Sequence, residues 1–310
     1  MSLAITFPGQ GAQTPGLGAP WRDHPAWSIV DDAERATGRP LAHLLLDAPA
    51  EELADTRHSQ LAVLLASLLA WTALEPRLDE PVVAMAGHSL GQITALIASG
   101  TVAFDHGMRL AVARADASAD AQAHAPGGLV VLLGAEEDVA VAACDAAPGR
   151  AWLANVNAPG QVVVGGHADG LDAVAARAKE LGARRATRLP VGGAFHTPML
   201  VEVAEAIGPV LDETPFVVPA IPVVANDDGA VVADPAAWPD RLRTHLVRPV
   251  RWTDTVRTMR GLGADTLIEV GPGSTLTGLA RRIDPELELA NVAVPDDLAA
   301  LGALVHGAVR

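Results

Sequence analysis

Residues 82–86, Val82-Val83-Ala84-Met85-Ala86, form an apolar run that stops at Gly87, and a helix-compatible stretch begins at Leu90. Strand, sharp turn and helix must therefore be joined within Gly87-His88-Ser89-Leu90-Gly91, which leaves the backbone few paths. The spacing matches G-x-S-x-G, in which small residues let a strained strand-to-helix turn lift a serine hydroxyl above the sheet. Leu3–Phe7 is a second apolar run, broken by Pro8-Gly9-Gln10-Gly11, and reads as a buried strand ending in a loop rich in backbone N–H groups. Helical patterns are expected at Trp27–Thr37 and Gln60–Leu74, and two more around Phe104 to Ala123. Strands alternating with helices imply a parallel sheet covered on both faces.

The order changes at Pro126-Gly127-Gly128. A strand (Leu129–Leu133), a helix (Glu136–Ala147), two strands in succession (Trp152–Val156, Gln161–Val164), a helix (Asp169–Leu181) and a strand (Arg184–Leu189) give the split βαβ order of a ferredoxin-like unit. We expect residues 125–190 to be a small subdomain inserted into an α/β subdomain made of residues 1–124 and 191–310. In the second part a short strand at Pro222–Val224, helices near Ala236–Leu246 and Trp252–Gly263, a strand at Thr266–Val270 and a helix after Gly271-Pro272-Gly273 continue the pattern. A chain of 310 residues has room for two such units.

Composition removes several function classes. Lys+Arg of 22 against Asp+Glu of 37 gives a net charge of -15, a field that opposes binding to nucleic acid. The single cysteine, Cys144, has no partner for a disulfide or a cysteine-based zinc site. The first residues lack the cationic region of a signal peptide, and Leu61 to Leu74 is too short for a membrane span and reads as a buried core helix. A cytoplasmic protein is expected. With no tyrosine and Lys179 as the sole lysine, the catalytic menu shrinks to Ser, His, Asp, Glu, Arg and Cys144.

A serine nucleophile needs a base, and histidine is the usual one. Among the ten histidines no pair has the i, i+4 spacing of a helical zinc site, so no metal is expected. His196 lies in the glycine-rich turn Gly192-Gly193-Ala194-Phe195-His196 and could overhang the elbow; His88 is the second candidate by adjacency, although at an elbow its side chain points away from the serine.

Phe7-Pro8-Gly9-Gln10-Gly11, Gly87-His88-Ser89-Leu90-Gly91, Arg114, Gly193-Ala194-Phe195-His196, Pro249-Val250-Arg251-Trp252 and Glu269-Val270-Gly271-Pro272-Gly273 together resemble the malonyl-CoA:acyl carrier protein transacylase family, in the family's order and over almost the whole chain. The resemblance implies an α/β-hydrolase-like large subdomain with a ferredoxin-like insertion. It implies Ser89 as the acylated nucleophile, His196 as its base, and the backbone N–H groups of Gln10 and Leu90 as the oxyanion hole. Arg114 would hold the substrate carboxylate, a task suited to a guanidinium because it binds bidentately and stays charged. The histidine would be oriented by a backbone carbonyl, here that of His245, where the family usually has Gln. Gln92 replaces a common Glu and Ala115 a common Gly. Phe195 resembles the malonyl-selective members, and His88 and Asn157 would contact substrate.

The implied partners are malonyl-CoA and an acyl carrier protein; no cofactor is implied, and a monomer is expected. Carrier proteins of this kind are acidic, so docking to this acidic chain must be local. Two arginine clusters are candidates, one with Arg184 and Arg185, the other with Arg248, Arg281 and Arg282. Three other readings are open: a discrete polyketide-synthase acyltransferase, an editing acyl-thioester hydrolase on the same fold, and a non-catalytic carrier-binding module.

Overall fold

The computed structural model describes residues 1–305. Its strands in chain order are β1 (Leu3–Phe7), β2 (Val82–Gly87), β3 (Gly128–Leu133), β4 (Ala151–Ala158), β5 (Gln161–Gly166), β6 (Arg185–Arg188), β7 (Thr266–Val270) and β8 (Glu288–Val292). They form two separate sheets. The first, in the order β2-β1-β7-β8, is parallel throughout. The second, β4-β5-β3-β6, is antiparallel throughout. With the helices Glu137–Cys144 and Ala168–Glu180 packed on it, the second sheet has the ferredoxin-like order expected from the chain pattern.

Alternation along β1 shows how the parallel sheet is covered. Leu3, Ile5 and Phe7 belong to one core with the Thr56–Leu74 helix, whereas Ala4 packs with Ala84, Ala86, Leu267 and Trp252 on the opposite face. The Thr56–Leu74 helix is apolar on nearly every side and buried along nearly its whole length. Its extension to Arg77 is long and apolar enough to cross a membrane, yet 83% of the apolar window is buried within the protein, as for the central helix of a large core.

Three features differ from the sequence expectation. Residues Phe104–His124 form one helix instead of two, since no proline interrupts the segment and its glycine, Gly107, sits in the first turn, where the missing Cβ makes room for Ile97. The segment at Pro222–Val224 is not a full strand; it touches the edge of β2 through the parallel pair Met85↔Val223, with the Met85 amide donating to the Pro222 carbonyl. β8, which carries no long apolar run, closes the other edge of the sheet by pairing with β7. Such half-exposed edge strands lack the continuous hydrophobicity that marks a buried one.

Loops leaving the first sheet and strands of the second line one cleft. A cavity of about 380 Å³ lies between the loop after β1 and the second sheet, with Gly9, Gln10, His88, Asn157, Gln161 and Leu279 among its walls. The two subdomains are tied by backbone pairing: the Val156 amide donates to the Val250 carbonyl and the Val250 amide to the Ala154 carbonyl, at 2.8 and 2.9 Å.

Candidate active site

The elbow is built by close backbone approach. A Cβ on Gly87 would lie 1.8 Å from the Gly91 carbonyl oxygen, and one on Gly91 would lie 2.2 Å from that of Phe7, so β1, the turn and the following helix (Gly91–Ala98) can meet only through glycine. Ser89 consequently sits at φ 54°, a left-handed conformation that costs a non-glycine residue roughly 1–3 kcal/mol. His196 has the same sign, at φ 61°. Among the described residues these are the two non-glycine positions with positive φ, and their side chains meet.

His196 Nε2 is 2.7 Å from Ser89 Oγ, and His196 Nδ1 is 2.8 Å from the His245 carbonyl oxygen. Because a carbonyl can only accept, the proton resides on Nδ1, and Nε2 is free to accept from the serine hydroxyl. This arrangement sets at the serine hydroxyl the histidine that the resemblance implies, and separates it from the other one the local pattern offered. His88 turns the other way, with Nε2 3.0 Å from Asn157 Oδ1 and its ring against Trp252.

Arg114, in the Phe104–His124 helix, is 4% exposed rather than solvated. Its Nη2 donates to Ser89 Oγ at 3.1 Å and its Nη1 to Gln60 Oε1. Burial lowers its pKa to about 10, so the guanidinium remains charged at neutral pH. No carboxylate pairs with it among the described residues, and a buried unpaired cation beside a nucleophile is a ready site for an anionic group. The backbone N–H groups of Gln10 and Leu90 have no protein acceptor among the described residues, whereas that of Ser89 donates to Asn226 Oδ1 at 2.7 Å. Gln10 is fixed from its side chain, whose Nε2 donates to Thr56 Oγ1 at 3.3 Å. Phe195 is buried in the core next to His196 and is not part of the wall of the large cleft.

Burial dominates the electrostatics of the histidines. It pushes His196 down to about 3; the hydrogen bond to the His245 carbonyl opposes this, and the Arg114 charge, joined by that of His88 whenever its ring is protonated, reinforces it. Burial also lowers His88, against the bond to Asn157, and lowers His245, whose ring stacks on that of His196 at 4.8 Å. Three imidazoles are thus held neutral in the folded chain but charge near pH 6.5 when unfolded. The unfolded state binds more protons below that pH, so stability falls as pH drops from 6.5 towards the lowered folded values, by up to about 4 kcal/mol per pH unit for three groups. Denaturation midpoints between pH 7 and pH 5 measure this slope. His245→Gln should reduce it by about one proton's share; an unchanged slope would refute the assignment.

Two residues that hold the site were not found from sequence. Gln60 was read simply as the start of a helix, although a polar residue on an otherwise apolar, buried helix is itself a signal. Asn226 follows the apolar segment Val223-Val224-Ala225 at the carboxyl end of the sheet, where α/β folds place their sites. The arginine clusters are also rearranged. Arg184 packs beside Gly134, whose amide donates to the Gly160 carbonyl, and Gly160 lies against Arg282, which donates to Gln161 Oε1 and to the Pro159 carbonyl at 2.6 Å each. Arg184 and Arg282 therefore flank one turn contact, with Arg281 exposed next to it in sequence and Arg185 exposed on β6. Arg248 is exposed at the end of the Trp238–Val247 helix.

An elbow serine with a carbonyl-oriented histidine, in a parallel α/β subdomain joined to a ferredoxin-like one, is built for chemistry through an acyl-serine. The sequence profile of the acyl transferase domain matches residues 5–293, and the chain belongs to that family. It is 35% identical over 304 residues to the malonyl CoA-acyl carrier protein transacylase of Salmonella typhimurium, covering 96% of this chain and 98% of the relative. The crystal structure of the malonyl-CoA:acyl carrier protein transacylase from Xanthomonas oryzae pv. oryzae superposes with a TM-score of 0.91 at 35% identity, over 96% of each chain. A malonyl-transacylase solved in complex with a type II polyketide synthase acyl-carrier protein gives 0.92 at 32% identity, over 97% of this chain and 98% of that one.

Proposed function

We propose that the protein transfers a malonyl group from malonyl-CoA to the phosphopantetheine thiol of an acyl carrier protein through a malonyl-Ser89 ester. The observation that carries this reading is the buried, carboxylate-free Arg114 guanidinium at 3.1 Å from Ser89 Oγ. A short acyl group with a free carboxylate complements that cation, and an uncharged chain would leave it unpaired.

In the first half-reaction Arg114 binds the malonyl carboxylate, the Ser89 hydroxyl gives its proton to His196 Nε2, and Oγ attacks the thioester carbonyl. The Gln10 and Leu90 amides receive the oxyanion. The C–S bond breaks and CoA leaves as the thiol, taking the proton from His196. In the second half-reaction the carrier thiol gives its proton to His196 and attacks the ester, and Ser89 Oγ departs and recovers that proton. Binding of the carboxylate also neutralises Arg114, one of the charges that holds His196 down, so the base strengthens when the correct substrate is present. Side chains and backbone amides carry every step. The 380 Å³ cleft beside Gln10 and His88 suits a pantetheine arm, and the Arg184–Arg282 surface at its Gln161 wall, with the exposed Arg281 next in the chain, suits an acidic carrier.

Intact-protein mass spectrometry after mixing with malonyl-CoA, acetyl-CoA and methylmalonyl-CoA tests the reading. A stable malonyl adduct is expected; rapid loss to free malonate, or labelling by acetyl alone, would point to a hydrolase or to another acyl specificity. For the carrier, Arg184→Glu with Arg281→Glu leaves the Arg282 bonds in place. It should raise the KM for carrier protein on the order of tenfold at low ionic strength, with the KM for malonyl-CoA unchanged. An unaltered carrier KM would exclude this surface.

A further inference from the structure

We infer that Asn226 is a positioning residue that fixes the elbow and decides which backbone amides are left to stabilise the oxyanion; this rests on Ser89 being the nucleophile. Asn226 is 1% exposed, and all of its polar groups are engaged. Its Oδ1 accepts from the Ser89 amide at 2.7 Å, and its Nδ2 donates to the Gly87 carbonyl at 2.6 Å and to Gln92 Oε1 at 2.8 Å. Its own amide donates to Gln92 Oε1 at 3.0 Å, and its carbonyl accepts from the Arg251 amide at 2.7 Å.

The orientation of the carboxamide is set by its partners. A reversed amide would turn NH2 towards the Ser89 N–H and oxygen towards two acceptors, so one placement satisfies all three contacts. These contacts straddle the strained residue, holding Gly87 before it and Gln92 after it, while Ser89 itself is held at φ 54°. A left-handed serine gains nothing from its own conformation and persists where its surroundings over-determine it. By engaging the Ser89 amide, Asn226 turns that donor away from the reacting centre and leaves the Leu90 amide, the next along the chain, without a protein acceptor. Through the Arg251 amide the same residue joins the elbow to the segment that pairs with β4.

Asn226→Asp separates positioning from bulk structure, because it preserves shape and replaces Nδ2 with oxygen. Gln92 cannot relieve its contact by rotating its amide, since Oε1 also accepts from the Asn226 backbone N–H and rotation would set NH2 against that donor. The Gly87 carbonyl has no freedom either, so both acceptors would face a carboxylate oxygen unless that carboxyl is protonated. The variant should therefore acylate Ser89 about 10²-fold more slowly than the parent at alkaline pH, and recover as pH falls and the carboxyl regains a donor. The KM for malonyl-CoA should stay within a few-fold. His245, Asp227 and Arg241 line a crevice with Asn226, and Arg251 adjoins it, so the parent measured at the same pH values accounts for their titration.

Two readouts are used on the whole protein: single-turnover acylation by malonyl-CoA, and reaction of Ser89 with a fluorophosphonate, which needs the elbow, His196 and the oxyanion hole but no malonyl group. A pH-dependent deficit in both is the expected result. Failure of malonyl transfer in the parent would overturn the proposed substrate, and the phosphonate would still report on Asn226. Rates for Asn226→Asp within threefold of the parent at every pH, or a deficit that does not change with pH, would overturn the inference.

Discussion

Ser89→Ala is expected to abolish the malonyl adduct and to lower kcat by about 10⁶-fold, with His196→Ala costing a similar factor and the double variant scarcely more. The reason is geometric. Ser89 Oγ lies 2.7 Å from His196 Nε2, and neither residue has a substitute: His88 is engaged by Asn157, and Cys144 is distant in the fold, with its thiol pushed up to about 11 by burial and by Asp145. A pair that acts as one unit loses nearly everything with either member. Intact mass spectra give the adduct and steady-state transfer gives kcat. Losses that multiplied in the double variant would show that the two residues act independently.

The second large effect falls on Arg114. Arg114→Ala should reduce kcat/KM for malonyl-CoA by about 10²–10³-fold, the range for removing one partner of a desolvated charge pair, while acetyl-CoA, which has no carboxylate, is affected little or gains. The direction follows from what the cation does in the free protein. It is buried, it donates to Gln60 and Ser89, and it depresses the base. Removing it relieves His196 and opens space, both of which favour an uncharged acyl group. The ratio of malonyl to acetyl kcat/KM is the decisive measurement. An equal loss for both substrates would mean that Arg114 supports the elbow and does not select the acyl group.

The site was legible to different depths for different residues. Ser89 was exposed by local sequence, since strand, turn and helix are encoded within a few positions and glycines must flank a backbone that approaches its neighbours this closely. Gln10 and Leu90 came with the resemblance, and their unengaged amides in the structure fit that expectation. The choice between His196 and His88 was not in the local sequence, because both sit in turns beside glycine, and it depends on which side chain faces the hydroxyl. Arg114 was no better marked: read alone it is one arginine on a polar-looking helix, and its burial depends on packing against the Thr56–Leu74 helix, which supplies Gln60.

The fold follows the same division. The buried strands β1, β2 and β7 and the split βαβ order of the second sheet were readable because a strand covered on both faces must be apolar throughout and a chain reversal needs turn residues. The edge strand β8 and the continuity of the Phe104–His124 helix were not, since half-exposed edges and mixed surfaces carry weak periodicity. The sequence by itself determined the elbow that presents Ser89, the class of fold and the order of its parts, all of which depend on patterns among near neighbours in the chain. The resemblance supplied His196; tertiary structure alone decided that its Nε2 faces Ser89, that Arg114 is buried, that Arg184 and Arg282 flank one turn contact and that Asn226 holds the Ser89 amide. Those depend on residues from 25 to more than 100 positions apart being brought within hydrogen-bond distance, as Ser89 is to Arg114, Asn226 and His196. Such proximity is set by how the two sheets pack, which no local pattern records.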